Sequence, residues 1–316
     1  MDSLKISKTT SILLVLVLLS FANTSYGARK LFSLYKPPPM ALKYHKGALL
    51  QGNINVSIVW YGTFTPAQKS IVVDFLYSLN PSVKNAISSA NEPSVSNWWQ
   101  KIGTYMKKAG KKPTNVVLST QITDERCSLG KSLKNSHIAR LARRVNPKPG
   151  ELTLVLTSQD VAVEGFCMSN CGKHGSVRRL NSWSVYIWAG NSVTQCPGQC
   201  AWPFYKPIYG PQTEPLGAPN GDVGVDGMVV NIASLMAGAV TNPFGNGYFQ
   251  GPAGAPLEAA SACPGVYGKG AYPGYAGELL VDKTTGASYN AVGTNGRKYL
   301  LPALVDPNTS ECSTIV

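Results

Sequence analysis

Hydrophobic and polar positions divide the chain into stretches of different kinds. Apolar residues dominate 12–19, behind Lys5 and Lys8 and ahead of the small residues Ser25 and Gly27. That charged, apolar, small-residue order predicts a secretory signal peptide over 1–27. Residues 28–40 end in KPPPM and predict an extended leader. Then Ile54, Val56, Ile58 and Trp60 alternate with Asn55, Ser57 and Val59, the period of a strand over 54–61. Thr65-Pro66 supplies a cap and a first-turn proline for a helix bearing Ile71, Val72, Phe75, Leu76 and Leu79 at helical spacing. Ser94 opens a second helix with Trp98, Trp99, Ile102, Tyr105 and Met106. A strand at 116–122 follows, then a basic amphipathic helix at 132–145 with Ile138, Leu141 and Val145 on one side, then a strand at 152–157. Strands and helices in alternation form a sheet covered on both faces.

From Cys167 to Asn220 this periodicity fades into Gly, Pro, Asn and paired cysteines, interrupted by one strand at 183–189. The run CPGQCAWPFYKPIYGPQTEP holds prolines too closely spaced for a helix or a central strand, so it predicts a long loop pinned by a disulfide. Residues 225–242, VDGMVVNIASLMAGAVTN, are apolar on almost every side, with Asn231 and Ser234 as the main polar interruptions. A helix with no wet face belongs in the middle of a domain. Pro243 closes it, and it is too short and too interrupted for a good membrane span. Asn231 and Ser234 are expected to satisfy hydrogen bonds in the core. The remainder reads as loop, with a strand at 276–281 and short β segments near Tyr289 and over 298–304. The expected fold class is α/β: a single mixed-sheet domain over 41–316 with flanking helices, a central buried apolar helix and long disulfide-pinned loops.

Charge adds a partner class to this picture. The 316 residues carry 29 Lys and Arg against 16 Asp and Glu, a net +13, with clusters at Lys107, Lys108, Lys111 and Lys112, at Arg140, Arg143 and Arg144, and at Arg178 and Arg179. Outside a cell the acidic partners are polysaccharides or membrane headgroups, not nucleic acid, and no membrane span remains once a signal is removed. The seven cysteines are Cys127, Cys167, Cys171, Cys196, Cys200, Cys263 and Cys312. Cys167/Cys171 and Cys196/Cys200 form two CxxxC pairs that four-thiolate zinc could use. Secretion favours disulfides instead. Spacing leaves their connectivity open, and the odd count leaves one thiol over.

Catalytic motifs are scarce. Histidine occurs only as His45, His137 and His174, and there is no HExxH and no GxSxG. His174, in CGKHGS, is expected to make a structural hydrogen bond in a Gly-rich loop. A cysteine nucleophile would need a reduced thiol and a histidine partner. Glycoside hydrolysis needs only two carboxylates, for which Asp160, Glu164, Asp222, Asp226 and Glu258 are the candidates. Asn220, Asp222 and Asp226 crowd the start of the central helix. They lack the late bidentate Glu of a calcium loop and fit helix capping. Sequons at Asn55 and Asn308 are candidate N-glycosylation sites, and a third, at Asn23, lies in the signal. Asn55 can serve only if its strand offers it to solvent at an accessible edge.

The runs MALKYHKGALLQGNINVSIVWYGTFTPAQKSIVVDFLYSLN, FCMSNCGKHGS, QCPGQCAWPF and PNGDVGVDGMVVNIASLMAGAVTNPFGNGYFQGP resemble the plant EXORDIUM and phosphate-induced protein family. So do EAASACPGVYGKGAYPGYAGELLVDKTTGASYNA and GRKYLLPALVDP, and the match spans essentially the whole chain after the signal. The resemblance implies a secreted apoplastic or cell-wall protein linked to cell expansion and brassinosteroid-dependent growth, with no established catalytic activity and no cofactor. It also implies a comparison with the zinc-peptidase helix, because more distant members carry a His-Glu pair in the middle of the central helix. Here those positions read Ser234 and Leu235, and the later acidic position reads Gly238. None of the three can act as zinc ligand or general base. The resulting expectation is a metallopeptidase-like topology with a degenerate site, acting by binding an acidic wall polysaccharide or an extracellular receptor. The alternative is an enzyme working on wall polysaccharide through paired carboxylates.

Overall fold

Period-two burial builds the sheet. In a computed structural model, residues 40–80, 93–168, 170–179, 182–252 and 254–316 are described. The expected signal over 1–27, the expected leader up to residue 39 and the Asn23 sequon lie outside them. Five strands, β1 Gly52–Tyr61, β2 Thr114–Asp124, β3 Leu152–Thr157, β4 Gly172–Arg179 and β5 Ser182–Gly190, form one sheet in the order β2-β1-β3-β5-β4. The first four in that order run parallel, and β4 returns antiparallel to β5. On one face lie Ile54, Val56, Ile58 and Trp60 of β1, Leu152, Leu154 and Leu156 of β3, and Val185, Ile187 and Ala189 of β5. The intervening Val59, Tyr61, Val155, Tyr186 and Trp188 enter a second core on the other face. Strands buried on both faces need cover on both.

Helices α1 Pro66–Ser78, α2 Val95–Lys108 and α4 Val223–Thr241 share the first core, while α3 Asn135–Ala142 covers the second. Thr65 and Gln68 complete a capping box on α1, and the Ser94 side chain caps α2 by accepting from the Asn97 amide. The mixed-sheet α/β class read from the sequence is therefore the architecture. The central helix begins two residues earlier than its pattern implied, because the Asp222 side chain takes up the Val225 amide and makes Asp222 the N-cap. Although α4 is long and apolar enough to cross a membrane, most of it is buried inside the domain.

Three expectations are corrected. The stretch around His174 is not a Gly-rich loop but strand β4, whose Gly and Lys content gave no β signal; the ladder with β5 imposes it. The basic helix over 132–145 shrinks to α3 and a 3₁₀ turn at Arg143–Val145, because Ser132–Leu133 is taken into a short parallel pair with Ala162–Val163. The strand over 276–281 shrinks to Leu280–Val281, paired with Ser288–Tyr289. Three disulfides, Cys167–Cys196, Cys171–Cys200 and Cys263–Cys312, use six of the seven cysteines. The two CxxxC motifs are thus joined to each other as adjacent rungs.

Candidate functional site

Strand β4 sends alternate side chains to opposite faces, and His174 faces the sheet side on which α4 lies. There it meets the C-terminal half of α4. His174 Nε2 donates to Glu258, 2.8 Å from Oε2 and 3.0 Å from Oε1, and Asn242 Nδ2 donates to Glu258 Oε1 at 2.7 Å. His174 Nδ1 is buried with no partner among the described residues. The close approach is permitted by Gly238: a Cβ there would lie 2.2 Å from Glu258 Oε2 and 3.2 Å from His174 Nε2. Leu235, one turn earlier, packs against β4 at Gly172, where an added Cβ would fall 2.7 Å from Leu235 Cδ1.

The three positions compared with a zinc-peptidase helix are therefore placed, and they do not make such a site. Ser234 is partly exposed, Leu235 packs on the hairpin, and Gly238 leaves room for a His–Glu pair. Among the described residues no group of three or more His, Cys, Asp or Glu could hold a metal ion. The metallopeptidase-like topology has no support. The polar content of α4 also differs from expectation. Its buried polar side chains are Asp226 and Thr241, whereas Asn231 and Ser234 are only partly buried. Asn231 still works, donating from Nδ2 to the carbonyls of Cys200 and Gly227, both at 2.9 Å.

The candidate carboxylates are each engaged with other groups, and only Asp222 and Asp226 share one helix start. Asp160 accepts from Lys131 and from Ser158 Oγ, which hold its carboxyl below the ordinary value. Glu164 accepts the Asn135 amide at the start of α3, at 3.0 Å. Asp222 caps α4 and also accepts from Gln68 Nε2 at 2.9 Å. Asp226 accepts the Asn220 amide and side chain at 2.8 and 2.6 Å, yet burial outweighs these bonds and pushes its carboxyl up to about 6. Glu258 is buried under His174 and Asn242. Cys127 is the free cysteine; burial pushes its thiol up, which disfavours the thiolate a nucleophile requires. Of the sequons, Asn55 lies on β1, an internal strand, where it is partly exposed and donates to Glu151 Oε1 at 2.9 Å. Asn308 is exposed in a turn. His45 stacks on Phe249, and the His137 ring takes up the Lys134 amide.

Two open surfaces lie elsewhere. One face of α2 is core, with Trp98, Trp99, Ile102, Tyr105 and Met106; the opposite face, Gln100, Gly103, Thr104 and Lys107, lines a groove of about 470 Å³ completed by Lys111, Pro113 and Asn115. Gly103 has no neighbour within 4 Å of where a Cβ would stand, so its missing side chain deepens the groove. Trp99 and Thr114 also reach it, so the lining joins lysines and neutral hydrogen-bonding groups to the apolar Trp99 and Pro113, with no carboxylate. The second surface is an aromatic cleft of about 490 Å³ between the loop after Cys200 and the loop after Cys263. The lysine cluster was visible in the sequence, but its groove depends on the turn after α2. The cleft brings together residues some 60 positions apart, in stretches that read only as proline-rich loop.

The chain matches the family described as "Phosphate-induced protein 1 conserved region" over residues 42–315. It is 57% identical over 312 residues to Protein PHOSPHATE-INDUCED 1 of Nicotiana tabacum, covering 96% of this chain and 98% of the relative. It is 57% identical over 305 residues to Protein EXORDIUM of Arabidopsis thaliana, covering 94% and 96%. To Protein EXORDIUM-like 2 of the same plant it is 55% identical over 306 residues, covering 96% and 97%. No solved structure matches it. The chain belongs to the phosphate-induced protein 1 family of plant growth-related proteins, with the EXORDIUM proteins among its relatives.

Proposed function

We propose that this protein acts outside the plant cell, in the wall, as a non-catalytic binding protein in growth control, including brassinosteroid-dependent growth. The ligand is anionic wall polysaccharide, held along the groove of α2. One observation carries this reading: Lys107 and Lys111 line the groove beside Gln100, Thr104 and Asn115, with no carboxylate among the lining residues. Ammonium groups would meet uronate carboxylates, and the neutral side chains would meet sugar hydroxyls. Three disulfides suit an oxidising compartment, and exposed Asn308 suits glycosylation there. The absence of catalysis is favoured by the candidate carboxylates, each of which is engaged as a cap, an ion pair or a buried hydrogen-bond acceptor, the neighbours Asp222 and Asp226 included.

The test is chromatography of the secreted, tag-free protein on immobilised de-esterified pectin. Retention at low salt and elution as ionic strength rises is the expected behaviour, because exposed charge pairs are screened within about 10 Å at 0.1 M salt. Lys107→Gln together with Lys111→Gln is expected to weaken binding about tenfold, ~1.4 kcal/mol, with circular dichroism unchanged. Passage of the wild type through the column at low salt, or coelution of variant and wild type, would overturn the reading. So would release of shortened polysaccharide.

A further inference from the structure

The aromatic cleft is built to be rigid. Each of its walls begins within two residues of a half-cystine: Trp202 comes two after Cys200 of the Cys171–Cys200 bridge, and Pro264 directly after Cys263 of the Cys263–Cys312 bridge. Within the first wall Gln212 donates to the carbonyls of Pro207 and Gly210, and Leu216 N donates to Pro203 O at 2.9 Å. In the second, Tyr272-Pro273-Gly274-Tyr275 closes a tight turn through Tyr275 N to Tyr272 O, at 2.8 Å, and the reverse bond at 3.1 Å. Proline stands at its second position and Gly274, at φ +90°, at its third. The walls touch: Thr213 Oγ1 donates to Gly274 O at 3.0 Å, and a Cβ on Gly274 would lie 2.6 Å from Pro211.

This frame holds large rings out to water. Tyr209 is 87% exposed and Tyr272 65%, although the Tyr272 and Tyr275 rings pack at 5.0 Å and Trp202 packs on Tyr267 at 5.7 Å. A smaller hollow of about 140 Å³ continues the cleft and shares Trp202, Tyr272 and Gly274 with it, so Tyr272 stands between two adjoining depressions. No charged residue lines the larger one, in a chain of net +13. The smaller has a single charged residue, Glu214, which is mostly exposed and pairs with Lys206 at 3.1 Å. An exposed pair of that kind is weak and leaves the carboxylate open to exchange.

We propose that this double hollow binds a polyproline II segment flanked by a basic residue. Such a segment is extended, uncharged along its prolines and free of internal hydrogen bonds, so its carbonyls remain available as acceptors. The cleft offers what it lacks, hydroxyl donors on Tyr209 and Tyr272 and the Trp202 indole N–H, between apolar walls on which proline rings can lie. A preformed helix meeting a preformed groove loses little conformational freedom, which is the recurring logic of aromatic proline-binding grooves. Glu214 receives the basic residue at the end of the smaller hollow. A neutral glycan could also stack on these rings, but its hydroxyls would find few polar side chains in the larger depression.

The mature protein titrated with decaproline carrying a terminal lysine, followed by tryptophan fluorescence and calorimetry, tests the assignment. Saturable binding is expected. Tyr272→Ala and Tyr209→Ala should each weaken it about tenfold, and Glu214→Gln about threefold; all three side chains are largely exposed, so folding is preserved. The Lys107→Gln/Lys111→Gln protein should bind the peptide like wild type, and Tyr272→Ala should still be held by pectin, which keeps the two surfaces separable. The proposal is overturned if the peptide does not saturate the protein at millimolar concentration, if the tyrosine variants bind it unchanged, or if cellohexaose binds in its place.

Discussion

At the scale of single residues, Gly103 on α2 and Gly238 on α4 have opposite meanings. Exchanging an interior helical glycine for alanine ordinarily stabilises by about 0.5–1 kcal/mol. Gly103 meets that condition, since nothing lies within 4 Å of its missing Cβ. Gly238 does not, because the added carbon would sit 2.2 Å from Glu258 Oε2 and force the buried carboxylate from His174 and Asn242. Overpacking costs about 1–3 kcal/mol, and a buried carboxylate losing its donors costs more. Gly238→Ala should therefore lower the urea midpoint while Gly103→Ala raises it or leaves it unchanged. Equal stability of Gly238→Ala and wild type would mean that the His174–Glu258 contact does not hold this region. Nothing in the sequence exposed the contact, because residues 174, 238 and 258 come from a strand, a helix and a loop. Read along the helix, Gly238 was a lost ligand position; in three dimensions it is the space in which a side-chain pair fits.

At the scale of elements, the start of α4 concentrates two carboxylates with different fates. Asp222 is outside the helix, accepts the Val225 amide at 2.9 Å and suits the positive end of the dipole. Asp226 is inside the first turn and only 3% exposed, and burial raises its carboxyl to about 6 despite the bonds from Asn220. A folded-state value above the unfolded one means that Asp226 favours the folded state fully at pH below about 4. That contribution is lost as pH rises through about 6, by ~3 kcal/mol at neutrality. Asp160, held low by Lys131 and Ser158, has the opposite sign: its contribution is present above the ordinary carboxylate range and lost in stronger acid. Between pH 7 and pH 5 the Asp226 effect is therefore expected to raise stability, and Asp226→Asn should remove that rise. Urea titrations of both proteins at the two pH values check it; an identical pH dependence would show that Asp226 is not the responsible group. The sequence had identified these residues as cap candidates, but the two-residue error in the helix start hid which carboxylate is the cap and which is buried.

For the whole molecule, what was legible followed from periodic burial. Alternation in β1 and helical spacing in α1 and α2 have the same cause in sequence and in structure, namely which side of each element meets the core. Strand β4 was illegible because its Gly and Lys residues pair by virtue of β5, and the loops that form the cleft carry no period at all. Their order comes from cross-links, which spacing cannot pair. Cys263–Cys312 spans 49 residues and each of the adjacent rungs spans 29. On chain-entropy grounds a loop of the first size is worth about 4 kcal/mol and one of the second slightly less. Because the 29-residue loops nearly coincide, the second rung adds far less to the unfolded-state restriction than the first. Replacing Cys171 and Cys200 together by serine should consequently cost well under the loop value, whereas replacing Cys263 and Cys312 should cost close to it. The second exchange also frees the wall that begins at Pro264, so it should weaken decaproline binding at temperatures where the fold persists, while pectin retention through α2 is kept. Denaturant midpoints measured beside the two binding assays separate these effects; equal destabilisation by the two double exchanges would show that the rungs act independently.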